Sequence, residues 1–255
     1  MVLTLDVGNT NIVLSVYNDD VMLFSSRIST VSNKMEDEYA MDFLNILKLY
    51  DCTSKNFEGA IISTVVPQLK STLKRAVERV FKCSVMIVSS ELKTGLNICL
   101  SNPKSLGSDR ICDAVAVKNL YSLPAVICDL GTATTISAID KDANFLGGSI
   151  FPGVNSSLKT LSNVTAQLPH IDLRENCTEV IGKDTISAMH SGVIFGMASL
   201  MDGMAQRYRK FLGNDTILIA TGGLSDLIVP HCMENFISNK NLVSEGLYMI
   251  YKMNK

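Results

Sequence analysis

Two carboxylates, Asp6 and Asp129, head matching phrases 123 residues apart in a chain of 255. The first reads Asp6-Val7-Gly8-Asn9-Thr10-Asn11 and runs into Ile12 and Val13; the second reads Asp129-Leu130-Gly131-Thr132-Ala133-Thr134. A glycine just past a strand lets backbone N–H groups turn outward and approach an anion closely. Thr10 and Asn11 in the first copy, and Thr132, Thr134 and Thr135 in the second, add side-chain donors. A carboxylate among phosphate donors makes chemical sense if it holds magnesium that travels with the phosphate. One copy alone is equally well read as a hairpin turn capped by its own Asp. Two copies at equivalent places favour a pair of phosphate loops.

Two further clusters could act on the same ligand. In Gly107-Ser108-Asp109-Arg110, Asp109 could accept a proton from a hydroxyl and Arg110 could pair with a carboxylate or phosphate. The competing reading is an acidic residue in a first helical turn, stabilised by the helix dipole. In Thr221-Gly222-Gly223, glycines between a strand and a helix let a flat base or a phosphate lie against the backbone; alone, such a turn is only a turn. His170, His190 and His231 show no ligand spacing and read as structural or surface residues. Walker A, G-x-G-x-x-G, H-E-x-x-H and G-x-S-x-G patterns do not occur.

The elements that must position these residues alternate along the chain. Val2–Leu5 and Ala125–Cys128 read as buried strands before each loop, and Ile12–Val16 and Thr135–Ile139 as the returning strands. Val21–Phe24 and Asn144–Gly147 stand as third strands. Asn33-x-x-Glu36 predicts a capping box for a helix whose apolar face is Tyr39, Phe43, Ile46, Leu47 and Tyr50. Gly59–Ser63 and Val85–Val88 follow as strands, with a helix opened by Pro67 between them. Met189, Val193, Met197, Leu200, Met204, Tyr208 and Phe211 predict a long helix stopped by Gly213. Thr216–Ala220 is another buried strand. The boundary between halves is expected near residue 120, giving domains 1–120 and 121–255.

Apolar residues make up 47% of the chain, enough for a core in each half, and the net charge of −2 without a basic cluster argues against a nucleic-acid surface. No apolar run reaches the roughly 18 residues that span a bilayer, and the amino terminus enters a strand directly, so neither membrane anchor nor signal peptide is expected. The seven cysteines include no C-x-x-C pair; Cys99 and Cys128 lie in apolar runs and are expected to be buried thiols. These features predict a cytoplasmic protein without disulfides or structural zinc.

In order and spacing, the phrases resemble the type III pantothenate kinases, within the superfamily of acetate and sugar kinases, heat-shock ATPases and actin. Besides both loops, the resemblance rests on Asp37-Glu-Tyr39, Ser63-Thr-Val-Val-Pro67, Asn102-Pro103, Gly107-Ser-Asp-Arg110, Gly147-Gly-x-Ile-x-Pro-Gly153, Thr165-Ala-x-Leu-Pro169, Gly182-Lys-Asp-Thr185, Ser191-Gly192, Ala220-Thr-Gly-Gly223 and Glu245-Gly-Leu247. It implies an α/β fold of tandem duplicated ribonuclease-H-like domains, actin-like, with an interdomain cleft for ATP and magnesium. The implied reaction is phosphorylation of pantothenate to 4′-phosphopantothenate, with potassium or ammonium as activating cation and a homodimer as the working form. Carried over, Asp6 to Val13 form the first phosphate loop, Gly222 and Gly223 the adenosine motif, and Thr132 an ATP contact. Asp6 faces magnesium and Asp129 is the potassium ligand. Gly107, Ser108, Asp109 and Arg110 hold pantothenate, with Asp109 as general base and Thr185 as a further substrate contact.

The chain departs from the family where Leu100 replaces a tyrosine that touches the substrate and Ser101 an acidic residue. Loss of the phenol removes a hydrogen bond of about 1 kcal/mol. The alternatives are a kinase of another small hydroxyl substrate, a non-catalytic ATP-binding regulator, and a filament or chaperone ATPase, for which 255 residues leave little room.

Overall fold

A computed structural model describes residues 1–89, 91–173 and 179–255. They form two compact units: Met1–Gly95, Ser101–Asn119 and Leu242–Lys255 in the first, Leu96–Leu100 and Leu120–Asn241 in the second.

The first unit is built on a sheet of β1 (Val2–Val7), β2 (Asn11–Asn18), β3 (Val21–Ser29), β4 (Gly59–Thr64) and β5 (Ser84–Ile87), in the order β3-β2-β1-β4-β5. β1 pairs antiparallel with β2 and parallel with β4. Side chains alternate across a strand, so Leu3, Leu5 and Val7 enter one core with α1 (Glu36–Leu49) and α2 (Lys70–Phe81). Val2, Thr4 and Asp6 face the other way. α1 supplies Tyr39, Phe43, Ile46 and Leu47 to that core, as expected from sequence, whereas Tyr50 lies just past the end of the helix and is exposed; α2 supplies Leu73, Ala76, Val77 and Val80. The expected Asn33–Glu36 capping box is not formed: α1 starts at Glu36, and the Met35 N–H donates to Glu38 Oε2 at 2.8 Å. Pro67 opens a single 3₁₀ turn, Pro67–Leu69, before α2. α3 (Ser108–Leu120) completes the sequence-contiguous part of the unit.

The second unit repeats the plan. β6 (Asn97–Ile98), β7 (Ala125–Leu130), β8 (Ala133–Ile139), β9 (Asn144–Pro152), β10 (Ile217–Thr221) and β11 (Phe236–Ser238) lie in the order β11-β10-β7-β8-β9-β6. With β6 set aside, β9-β8-β7-β10-β11 reproduces the first sheet's order and strand senses. The repeat extends to an irregularity: the register slips at Val16/Tyr17 in one sheet and at Ala138/Ile139 in the other. Those positions pair with equivalent residues, Leu3 and Val2 of β1 and Val126 and Ala125 of β7. An irregularity at equivalent places in two sheets extends the repeat from strand order to local geometry. α4 (Val154–Val164), α5 (Thr185–Leu212) and α6 (Ser225–Ile228) complete the unit. Met189, Val193 and Met197 of α5 are core residues, as their spacing indicates, and Leu200, Met204 and Tyr208 pack against them, but Phe211 at the end of that stripe is exposed because the helix runs past the core there.

The C-terminal helix α7 (Leu242–Asn254) overturns the simple division at residue 120, because it belongs to the first unit. Leu247 and Ile250 are fully buried, and Ser244 Oγ lies 2.9 Å from Thr4 Oγ1 on the face of β1 opposite α1 and α2. A sheet buried on both faces needs cover on each, and α7 shares this face with α3, which docks through Ser108 on Ser63. Among the described residues no helix is long and apolar enough to cross a membrane.

Candidate active site

The first loop is a braced turn. The Gly8 N–H donates to Asn11 O at 2.9 Å, while Thr30, just past β3, donates from its N–H to Thr10 O (2.9 Å) and from Oγ1 to Gly8 O (2.7 Å). The carbonyls of Gly8, Thr10 and Asn11 are thus engaged within the protein, which turns acceptor oxygens away from an incoming anion. Val7 and Ile12 pair across the ladder and bury their side chains completely, so only their backbone can face a ligand; Asn9 and Thr10 are exposed at the tip.

Asp6 and Ser63 are direct neighbours in the parallel pairing of β1 and β4, on one face of the sheet. Ser63 Oγ lies 2.9 Å from Ser108 Oγ at the start of α3. Ser108 Oγ also receives the Thr64 N–H (3.1 Å) and reaches Thr64 O (3.2 Å). The helix carrying Asp109 and Arg110 is thereby seated at the same end of the sheet as Asp6. Burial pushes the Cys112 thiol well above its ordinary range, and the charges of Asp6, Asp113 and Asp109 push it further. The Asp109 carboxylate accepts the Arg110 N–H at 2.8 Å, and a Cβ on Gly107 would overlap its Oδ1. Asp109 and Arg110 are half-buried.

In the second unit the turn is one residue shorter: Gly131, Thr132 and Ala133 separate the pair Leu130–Thr134, whereas Gly8 to Asn11 separate Val7–Ile12. Asp129 at the end of β7 is the parallel neighbour of Thr221 on β10. Gly222, with φ of +88°, turns under it; a Cβ there would stand 2.5 Å from Asp129 Oδ1 and 2.6 Å from Leu130 N. No residue but glycine combines that backbone with that approach. From the other side α4 closes on the loop, since Gly153 N and Ser156 Oγ both donate to Thr132 O, at 3.2 and 2.7 Å. Thr134 does not serve as a loop donor here: it is fully buried beside Leu130, and its hydroxyl has no hydrogen-bond partner among the described residues. Gly223 follows in the turn into α6.

The structure brings Asp6, Gly107, Ser108, Asp109 and Arg110 together in one unit and Asp129, Thr132 and Gly222 together in the other. Thr185, the first residue of α5, is exposed beside the Asp184 cap, which accepts the Ser187 N–H at 2.9 Å. Leu100 is half-buried, its Cδ2 3.3 Å from where a Gly147 Cβ would stand. Cys128 is buried as expected, whereas Cys99 is exposed, because β6 is a two-residue edge strand that covers little; Cys177 lies outside the described residues. Thr30, Ser63, Gly153 and Ser156 escaped sequence reasoning as loop supports. Only the Ser63 and Gly153 phrases carried any signal. The histidines are structural: His190 Nε2 lies 2.9 Å from Asp172 O, His170 Nδ1 2.9 Å from Ser162 Oγ, and His231 packs edge-on to Phe195.

Among solved structures, the chain is similar to one from Campylobacter jejuni described as a Baf family transcriptional activator, with 21% identity, TM-score 0.61, and 98% and 97% of the two chains covered. It is also similar to a ROK family glucokinase from Streptomyces griseus, with 12% identity, TM-score 0.54, and 99% of each chain covered. At these identities the likeness concerns the fold, which is the duplicated ribonuclease-H-like one. A curated type III pantothenate kinase of Halalkalibacterium halodurans is 38% identical over 254 residues, covering 100% of both chains. The family model for type III pantothenate kinase matches residues 2–207, a span that holds both loops and the start of α3. The chain therefore belongs to the type III pantothenate kinase family.

Proposed function

We propose that the chain transfers the terminal phosphoryl group of ATP to the 4′ hydroxyl of pantothenate, the first step of coenzyme A biosynthesis, with Asp109 as the group that receives the hydroxyl proton. Family membership supports the reaction. The observation that carries the residue assignment is the seating of Asp109 beside Asp6 through Ser63 and Ser108. Phosphoryl transfer through a loose transition state asks for alignment and charge neutralisation more than for a strong base. A carboxylate in hydrogen-bonding reach of the hydroxyl is sufficient, and Arg110 beside it supplies the positive charge for the pantothenate carboxylate.

Asp6 and its carboxylate neighbours offer hard oxygen donors of the kind magnesium takes. Among the described residues no group of three His, Cys, Asp or Glu is arranged as a metal cage. Magnesium is commonly held through one or two carboxylates together with substrate phosphates. Magnesium would supply neutralisation of charge on the phosphates. Asp129, held over Gly222 at the second loop, is the proposed potassium or ammonium ligand, with Thr132 and Gly223 as nucleotide contacts. A homodimer acting in the cytoplasm completes the reading.

The test is ADP release by the purified protein with ATP, magnesium and potassium, with and without pantothenate. Pantothenate-dependent turnover is expected; ATP binding without turnover would instead support a regulatory protein. Asp109→Asn should lower kcat by about 100-fold or more while ATP affinity stays within twofold. Retention of most turnover would overturn the base assignment. Replacing potassium with sodium should depress the rate, and equal rates in both salts would remove the cation from the reading.

A further inference from the structure

Ser63 has no assigned role, yet it stands on the strand next to Asp6 and touches the helix that bears Asp109. It is fully buried, and its Oγ meets Ser108 Oγ at 2.9 Å. The Cys112 thiol lies one helical turn beyond Ser108 on the same face. The hydrogen-bond directions close without conflict. Ser108 donates its one proton to Thr64 O and accepts from Thr64 N and from Ser63.

We infer that Ser63 is a positioning residue for phosphoryl transfer: it sets the placement of Asp109 relative to Asp6, and so the alignment of the accepting hydroxyl with the bound phosphate. The inference rests on the assignment of Asp109 as proton acceptor. Its physical ground is geometric. Asp109 follows Ser108 directly, so a shift of α3 moves the carboxylate with the helix, and a displacement of about 1 Å at a reacting centre costs on the order of 100-fold in rate. ATP binding at the first loop depends instead on the turn braced by Thr30, which Ser63 does not touch. Removing the Ser63 hydroxyl leaves Ser108 with both of its bonds to Thr64.

The experiment compares Ser63→Ala, Ser108→Ala, the double variant and Asp109→Asn in one pantothenate-dependent assay, with ATP affinity by calorimetry and Tm measured alongside. For Ser63→Ala the expected result is a fall in kcat of about 10- to 100-fold, with ATP Kd within twofold and Tm within a few degrees. The double variant should be no worse than the more damaged single one, because the two hydroxyls act as a unit. Ser63→Thr, which keeps the hydroxyl, should recover part of the rate. Wild-type turnover in Ser63→Ala while Asp109→Asn is inactive would overturn the positioning role and leave the base assignment standing. A Ser63→Ala variant whose ATP affinity and Tm fall along with its rate would make Ser63 a packing residue, which also overturns it. An active Asp109→Asn would overturn the underlying reading, whatever Ser63 does.

Discussion

Gly107 shows how a residue without a side chain can shape chemistry. The Asp109 carboxylate folds back over it, so a methyl group at position 107 would overlap Oδ1. The overlap is with the movable end of a side chain, so the backbone need not give way; the carboxylate does. Gly107→Ala is expected to swing Asp109 from its place, lowering kcat about 10- to 100-fold with little change in Tm. Steady-state kinetics with a thermal melt checks this. A variant that melts early with normal turnover would place the role of Gly107 in folding. The need for glycine at Gly222 has a different origin, since there the backbone itself is left-handed and pressed against Leu130 N.

At the level of elements, the two helices covering the Thr4 and Ser63 face of the first sheet are held by close approach as much as by apolar packing. A Cβ on Gly246 of α7 would overlap the Cys112 carbonyl of α3, so the two helices touch backbone to side-chain-free backbone. Neither partner can rotate away, and Gly246→Ala should cost about 2 kcal/mol of overpacking. That corresponds to a fall in Tm of roughly 4–8 °C for a chain of this size. Differential scanning calorimetry measures it, and an unchanged Tm would show that α7 can slide on α3. Because α3 carries Asp109, the same variant should also lose activity before it unfolds. The periodic faces of α1, α2 and α5 were legible in the sequence, as were the strands flanking both loops, since each buries one regular stripe. β6, α4 and β11 were not: β6 and β11 span two and three residues, too short to show a period. α4 begins at a glycine whose reason is contact with the second loop.

For the molecule as a whole, the return of α7 to the first unit is secured at its far end by charge. Asp20, in the turn between β2 and β3, accepts from Lys252 at 2.6 Å, and its N–H donates to the Tyr248 hydroxyl at 3.2 Å. The Lys252 bond, followed by Tyr248, holds the Asp20 carboxyl below its usual range. Asp184 and Glu234 are likewise lowered, by the Ser187 backbone N–H and by Arg209. A carboxylate with a lowered folded pKa leaves the unfolded chain binding more protons in that window, so stability rises with pH there. The contribution is present above the unfolded value of about 4 and is lost as pH falls through the folded one. Thermal melts between about pH 5 and pH 3 should therefore show Tm falling with acid, and Lys252→Met should reduce that fall. An equal or steeper fall in Lys252→Met would dissociate α7 docking from the acid response.

The sequence by itself determined the chemistry on offer. Two Asp-Gly loops at equal places, the Gly-Ser-Asp-Arg phrase and the glycine pair after Ala220 are local patterns, and local patterns survive in a one-dimensional reading because turn chemistry depends on adjacent residues. The duplication was legible for the same reason, and the matching irregularity and strand order only deepen it. Tertiary structure alone decided which of these patterns share a unit and what holds them there. Thr30 meets Gly8 of the first loop across 22 residues, Ser63 meets Ser108 across 45, and Thr4 meets Ser244 across 240. Such contacts come from which strand lies beside which and which face is left to cover. A serine hydroxyl or a C-terminal helix carries no mark in the sequence of the partner that folding will bring to it.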